Sequence, residues 1–226
     1  MCRWLAYSGS PMLLDELLYK TEHSLIVQSL HSRLGAEETN GDGFGIGWYG
    51  EYETPALFKS VEPAWDDENQ RDLALHIRSG LVFAHIRASS GTSVQQTNCH
   101  PFRHGRWLWM HNGLIREFHQ LRRELMLEVA PELFADIRGT TDSEVFFFLA
   151  RTLFYSTDIV ELRKLHPEIE LLRLVSDESR LIVSEPIGDL SGAWNEVPES
   201  TCIVIQPGED ELLPFGPEAV KAGTAR

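Results

Sequence analysis

Cysteine is scarce in this chain of 226 residues. There are three, Cys2, Cys99 and Cys202, far apart and in no CxxC pair. An odd, scattered set excludes a disulfide framework and a zinc ribbon, and it fits a reducing, cytoplasmic setting. Long apolar runs are missing too, so a membrane-spanning helix is not expected. The first residues do not show the charged-then-apolar order of a secretory leader. Positive charge is in short supply: 20 Lys and Arg stand against 34 Asp and Glu, a net charge of −14. Such a surface repels polyanions, which argues against nucleic acid as a partner. Internal repeats and low-complexity tracts are absent. The histidines His85, His100, His104 and His111 cluster in sequence, but none sits in an HxH, HExxH or HxxxH arrangement with a supporting carboxylate. Pro101 interrupts any helix between His100 and His104. A metal hydrolase is the rival reading here, and the expectation is no metal and no cofactor.

What remains is the composition of a soluble globular protein, 42% apolar and 24% charged. Cys2 to Tyr7 reads as a buried strand, with Ser10-Pro11 as the cap and first residue of a following helix. Glu22 to Leu34 is ambiguous between loop and helix. Asn40 to Gly43 is a turn into a glycine-rich strand, Phe44 to Tyr49. Glycine in a strand marks a close approach of backbone or ligand. A helix is expected from Pro63–Asp67 to about Arg78, a strand over Leu81 to Arg87, and a loop over Ala88 to His104. Trp107 to His111 is a strand ending in a turn at Asn112-Gly113. Helices are expected over Ile115 to Val129 and Asp142 to Phe154. Leu171 to Val175, Leu181 to Val183 and Cys202 to Ile205 read as strands, and the tail after Pro207 as an extended arm. Strands and helices come in clusters, which predicts an α+β fold.

Four stretches hold chemistry: Met1-Cys2, His85-Ile86-Arg87, His111-Asn112-Gly113 and Thr140 to Glu144. Loss of Met1 would give Cys2 both a thiol and a free α-amine. An α-amine of pKa about 7.7–8.0 can take the thiol proton, so one residue would supply nucleophile and base. Cys2 could equally be a small buried hydrophobe. Asn112-Gly113 can aim a side-chain amide and a peptide N–H at one oxyanion, or simply form a hairpin turn. Arg87 can grip a carboxylate with two parallel hydrogen bonds, or close an internal ion pair. Asp142 can cap a helix or present an oxygen to an ammonium. An arginine for a carboxylate and an aspartate for an ammonium together specify an α-amino acid.

The ordered segments MCRWLAY, NGDGFGIGWY, FAHIRASSGT, NCHPF, WMHNGLI and GTTDSE make the chain resemble the class II glutamine amidotransferase domain. That domain is an N-terminal nucleophile hydrolase, and the likeness is to its stand-alone, single-domain branch. It runs from residue 1 to about 150, with a weaker continuation at Ser184-Glu185-Pro186 and Trp194. The resemblance implies one domain over residues 1–226, folded as a four-layer αββα sandwich. It implies Cys2 as nucleophile and Asn112 with Gly113 as oxyanion hole. It further implies Arg87, helped by the hydroxyl of Ser90, on the substrate α-carboxylate and Asp142 on its α-amine, with His111 and Gly43 shaping the pocket. The implied partner is glutamine or another γ-glutamyl amide, cleaved through a γ-glutamyl thioester to release glutamate. Members of the branch resemble hydrolases acting on γ-glutamyl thiol compounds. The alternative is a module that binds γ-glutamyl ligands without turnover, or that supplies ammonia only with a separate accepting subunit.

Overall fold

The computed structural model describes residues 2–31, 39–89, 91–153, 179–188, 194–205 and 210–214. Along the chain these form β1 (Arg3–Leu13), α1 (Leu14–Leu18), α2 (Leu25–Leu30), β2 (Phe44–Trp48), β3 (Ala56–Ser60), α3 (Glu68–His76) and β4 (Arg78–Ile86). After a 3-10 turn at Gln96–Asn98 come β5 (Phe102–His104), β6 (Trp107–Trp109), α4 (Phe118–Leu127), α5 (Pro131–Phe134) and α6 (Asp142–Leu153). The last elements are β7 (Arg180–Val183), β8 (Thr201–Val204) and β9 (Glu211–Pro214). The fold is mixed α and β, with antiparallel sheets.

Five strands pair in the order β3–β2–β4–β1–β7, with β1 between β4 and β7. The strand period of two sorts their residues onto two faces. Leu5 lies level with Ala84 and Val183, Ala84 with Ile46, and Ile46 with Phe58. This apolar face packs on Leu14, Leu17, Leu18, Leu25, Ile26 and Ala74 of α1 to α3. Ser24 and Asp67 start α2 and α3 by accepting the N–H of Val27 and Gln70 at 3.2 and 2.8 Å.

The opposite face carries a different row. Trp4 lies level with His85, His85 with Gly45, and Gly45 with Lys59. The β5–β6 hairpin presses on this face. A Cβ on Gly47 would sit 2.8 Å from Leu108 Cδ1 and 3.0 Å from Pro101 Cγ, and one on Gly45 would collide with the carbonyl oxygen of His100. The glycine-rich strand is thus the seat of the hairpin. Beyond it, Phe102, Val129, Leu133, Phe147 and Phe148 form a second core, with Trp107 and Trp109 packed against it.

Several expectations are corrected. Ser10-Pro11 does not open a helix. β1 runs on to Leu13 through a register slip between Ser8 and Met12. Gly80 allows this, because a Cβ there would lie 2.6 Å from the Gly9 carbonyl oxygen. β3 forms in a stretch where no strand was expected, and β5 occupies part of the expected loop Ala88 to His104. Asn112-Gly113 is not a tight hairpin turn. Residues 110–115 run without regular structure to α4, which begins after Glu117, a left-handed residue at φ +56°. The tail pairs through β9 with β8. Met1, Ser90 and the expected strand Leu171 to Val175 lie outside the described residues. Among the described residues, no helix is long and apolar enough to cross a membrane. No group of three or more His, Cys, Asp or Glu among them could hold a metal ion.

Candidate active site

Cys2 stands at the head of β1, and the residues behind it are firmly placed. The Arg3 guanidinium meets the Glu185 carboxylate at 3.0 Å, with the two side chains 2% and 3% exposed. Trp4 N donates to Ser184 Oγ at 3.0 Å, and Ser184 N donates back to Trp4 O at 3.1 Å. Arg3 Nη1 also donates to the Cys2 carbonyl at 3.2 Å. The half-buried Cys2 thiol rests on the peptide of Ala88. It accepts from Ala88 N at 3.3 Å and faces Ala88 O at 3.5 Å. Burial pushes this thiol up, while the Ala88 N–H and the nearby Arg87 charge pull it back down. It therefore starts protonated at neutral pH and needs a base.

Arg87 follows β4 and is 4% exposed. Its Nη2 donates to Ser89 Oγ at 2.9 Å and Thr92 Oγ1 at 2.6 Å, and its Nη1 to Asp42 O at 3.3 Å. Asp42 Oδ2 accepts from Ser89 N at 2.7 Å, which ties the loop together. No carboxylate pairs with this buried guanidinium among the described residues. Gly43 fixes the other side: its carbonyl accepts from Arg87 N at 2.9 Å. Glycine is required there twice over. The φ is +97°, and a Cβ would lie 2.7 Å from Ser60 O and 2.8 Å from Cys99 Sγ.

The segment from His111 to Ile115 ties the other elements to Cys2. Asn112 Nδ2 donates to the Cys2 carbonyl at 3.2 Å. His111 Nδ1 lies 2.9 Å from Ser143 Oγ, and a Cβ on Gly113 would meet His111 Nε2 at 2.6 Å. Burial lowers the His111 pKa, opposed by the charge of Asp142. Asp142 Oδ2 accepts from Ile115 N at 2.7 Å, and its Oδ1 from Ser143 N at 2.8 Å. The cap of α6 is therefore Thr141, whose Oγ1 accepts from Glu144 N at 3.3 Å, and Asp142 is left to face the segment. Behind the site the rings of His85 and His100 stack at 4.2 Å. Both are buried, which pushes His85 down to about 3 and His100 well below the usual histidine range, with neighbouring Arg87 and Lys59 adding to both. They are neutral imidazoles of the core.

Cys2, Arg87, His111, Asn112, Gly113 and Asp142 thus share one hydrogen-bonded neighbourhood, with Gly43 directly beneath Arg87. Sequence reasoning missed Ser89 and Thr92, the hydroxyls that meet the guanidinium. It also missed Asp42, Ala88 and Ser143. Thr92 closes the segment FAHIRASSGT, so its place was in view, but its partner was not.

Residues 16–172 match the family described as glutamine amidotransferases class-II. The probable glutamine amidotransferase DUG3 of Saccharomyces cerevisiae is 42% identical over 158 residues, 66% of this chain. The chain spans 44% of that protein's length. The gamma-glutamyl-hercynylcysteine sulfoxide hydrolase of Mycolicibacterium smegmatis is 27% identical, covering 95% of this chain and 100% of that protein. Among solved structures, a glutamine aminotransferase class-II domain protein from Silicibacter pomeroyi aligns with a TM-score of 0.62 at 26% identity. The alignment covers 96% of this chain and 100% of that one.

Proposed function

Since the chain belongs to the class II glutamine amidotransferases, we propose that it hydrolyses γ-glutamyl amides with Cys2 as an N-terminal nucleophile. The observation that carries this reading is the buried Arg87 charge, whose partners among the described residues are hydroxyls and a peptide carbonyl. An unpaired buried cation is costly, and a substrate α-carboxylate would complete it. Asp142 would take the α-ammonium. With the amino-acid head held at both ends, the side-chain amide falls to the Cys2 thiol.

The chemistry would run in two halves. With Met1 removed, the Cys2 α-amine accepts the thiol proton, and the sulfur attacks the side-chain carbonyl carbon. One N–H of the Asn112 amide already anchors to Cys2 O, and its second N–H, without a partner among the described residues, would hold the oxyanion together with Gly113 N. The amine returns the proton to the leaving nitrogen, the C–N bond breaks and a γ-glutamyl thioester remains. Water then attacks the thioester, gives its proton to the amine and releases glutamate with the thiol restored.

The same proposal takes residues 1–226 as one domain, with a four-layer arrangement of helices, five-stranded sheet, hairpin sheet and helices. A second reading rests on Asp142, both of whose oxygens already accept backbone N–H groups. The segment at 112–115 would then need a partner subunit to open it. The test is ammonia and glutamate release from L-glutamine by protein whose intact mass shows Met1 removed, beside Cys2→Ala. Release that vanishes in the variant supports the hydrolase. No release, with Met1 gone, transfers the case to larger γ-glutamyl compounds and to the partner-dependent reading.

A further inference from the structure

We propose that a second cleft, between β3, the β5–β6 hairpin and the start of α6, binds a small molecule bearing a phosphate or carboxylate on an apolar body. The cleft has a volume of about 550 Å³, within the range of small-molecule sites. Leu57, Phe102 and Phe148 line it with Lys59, Arg103 and Arg138, and none of Cys2, Arg87, Asn112 or Asp142 reaches it.

Charge is the main argument. The chain carries a net charge of −14, yet three cations and two carboxylates line this one hollow. The two carboxylates, Asp136 and Glu144, have hydrogen-bonding partners of their own. Asp136 pairs with His104 at 3.1 Å. The Glu144 carboxylate accepts Arg138 N at 3.1 Å and Gly139 N at 2.6 Å. The Lys59 ammonium and the Arg138 guanidinium form no ion pair among the described residues. Arg103 is braced by its bond to Pro55 O at 2.8 Å. An oxyanion can take two parallel hydrogen bonds from a guanidinium and a third from an ammonium.

Lys59 is also oddly placed for a lysine. It lies on the hairpin-facing side of the sheet, level with Gly45, and its Nζ sits 4.9 Å over the Phe102 ring. Gly45 makes room for it, since a Cβ there would come within 3.1 Å of Lys59 Cγ. Burial pulls Lys59 down to about 8, despite the pull of Cys99 and Glu144 in the other direction. A bound anion would restore what the ammonium loses by leaving water.

The experiment is isothermal titration of the full chain with inorganic phosphate and, separately, with succinate. A saturable site is expected that Lys59→Met and Arg138→Ala weaken about tenfold or more and that Lys59→Arg retains. It should persist in Arg87→Ala, where any binding of the anion at Arg87 is lost. Tighter phosphate binding assigns a phosphate-bearing ligand, and tighter succinate binding a carboxylate. The proposal is overturned if neither anion saturates by about 10 mM, if Lys59→Met and Arg138→Ala bind as well as the parent, or if Arg87→Ala abolishes the heat. The titration reads binding in a cleft that none of the proposed catalytic residues lines, so an inactive hydrolase could still bind the anion there, and an active one could fail to.

Discussion

A guanidinium that is 4% exposed and, among the described residues, bonded to uncharged groups alone carries its charge at a cost. Arg87→Ala is therefore expected to leave folding intact and to raise the KM for L-glutamine by roughly 10- to 100-fold, the worth of a charged hydrogen bond. Arg87→Lys should recover little of it, because an ammonium cannot fork across a carboxylate. Steady-state kinetics decide, and an unchanged KM removes Arg87 from the site. Cys2→Ser should fold and lose nearly all turnover, since an alcohol is a far poorer nucleophile at neutral pH. Full activity in that variant would end the proposed mechanism. His85 gives a prediction about stability. Its folded pKa, about 3, lies below the ordinary histidine value of 6.5, so the unfolded chain takes up a proton that the folded one refuses. Stability must fall as pH drops from about 6.5 toward about 3, by roughly 1.4 kcal/mol per unit from this residue. Urea titrations between about pH 6.5 and 5 should show a flatter slope for His85→Gln than for the parent. The gathering of Cys2, Arg87, Asn112 and Asp142 was legible because the chemistry expected of each needs that residue type in a short motif. Ser89 and Thr92 were not, because a hydroxyl gains its role only when a loop folds back onto a guanidinium.

Gly45 and Gly47 decide how closely the hairpin can approach β2. Gly47→Ala is expected to cost about 1–3 kcal/mol through overpacking against Leu108 and Pro101. Gly50→Ala, where an added Cβ meets nothing within 4 Å, should stay within about 0.5 kcal/mol. Thermal melts of the pair test the seat directly, and equal melting points would refute it. The glycine pattern in FGIGW was readable beforehand as a close approach, and the strand period carried β2 and β4 with it. The start of α1 was not readable. Ser10-Pro11 is a sound local helix opening, but pairing with β4 and the close approach of Gly9 and Gly80 outweigh it. β3 escaped for a related reason. ALFKS puts Lys59 on a covered face, against the alternation a half-buried strand would show, and only the room left by Gly45 makes that acceptable.

In a chain of net charge −14, Arg87 lies buried beside the Cys2 segment and Lys59 lines the second cleft. The first residues of α6 stand between them. Asp142 bonds the Ile115 peptide on the Cys2 side, while Glu144 holds the peptides of Arg138 and Gly139 on the other. The α+β class and the gathering of the motif residues into one hydrogen-bonded neighbourhood followed from clustered elements and ordered motifs. The second hollow did not, because its cations come from residues 59, 103 and 138, which nothing in the sequence links. The position of β1 has a consequence in time. Trp4 waits for Ser184, 180 residues further along, to fix its backbone. At a synthesis rate of about 5–20 residues per second, that partner emerges on the order of ten seconds or more after the start of the chain. For that interval the first residues cannot be locked into the finished sheet, and a processing enzyme can reach Met1. Under the proposed mechanism, the chain's own topology would hold open a window for exposing the Cys2 amine before the strand closes around it.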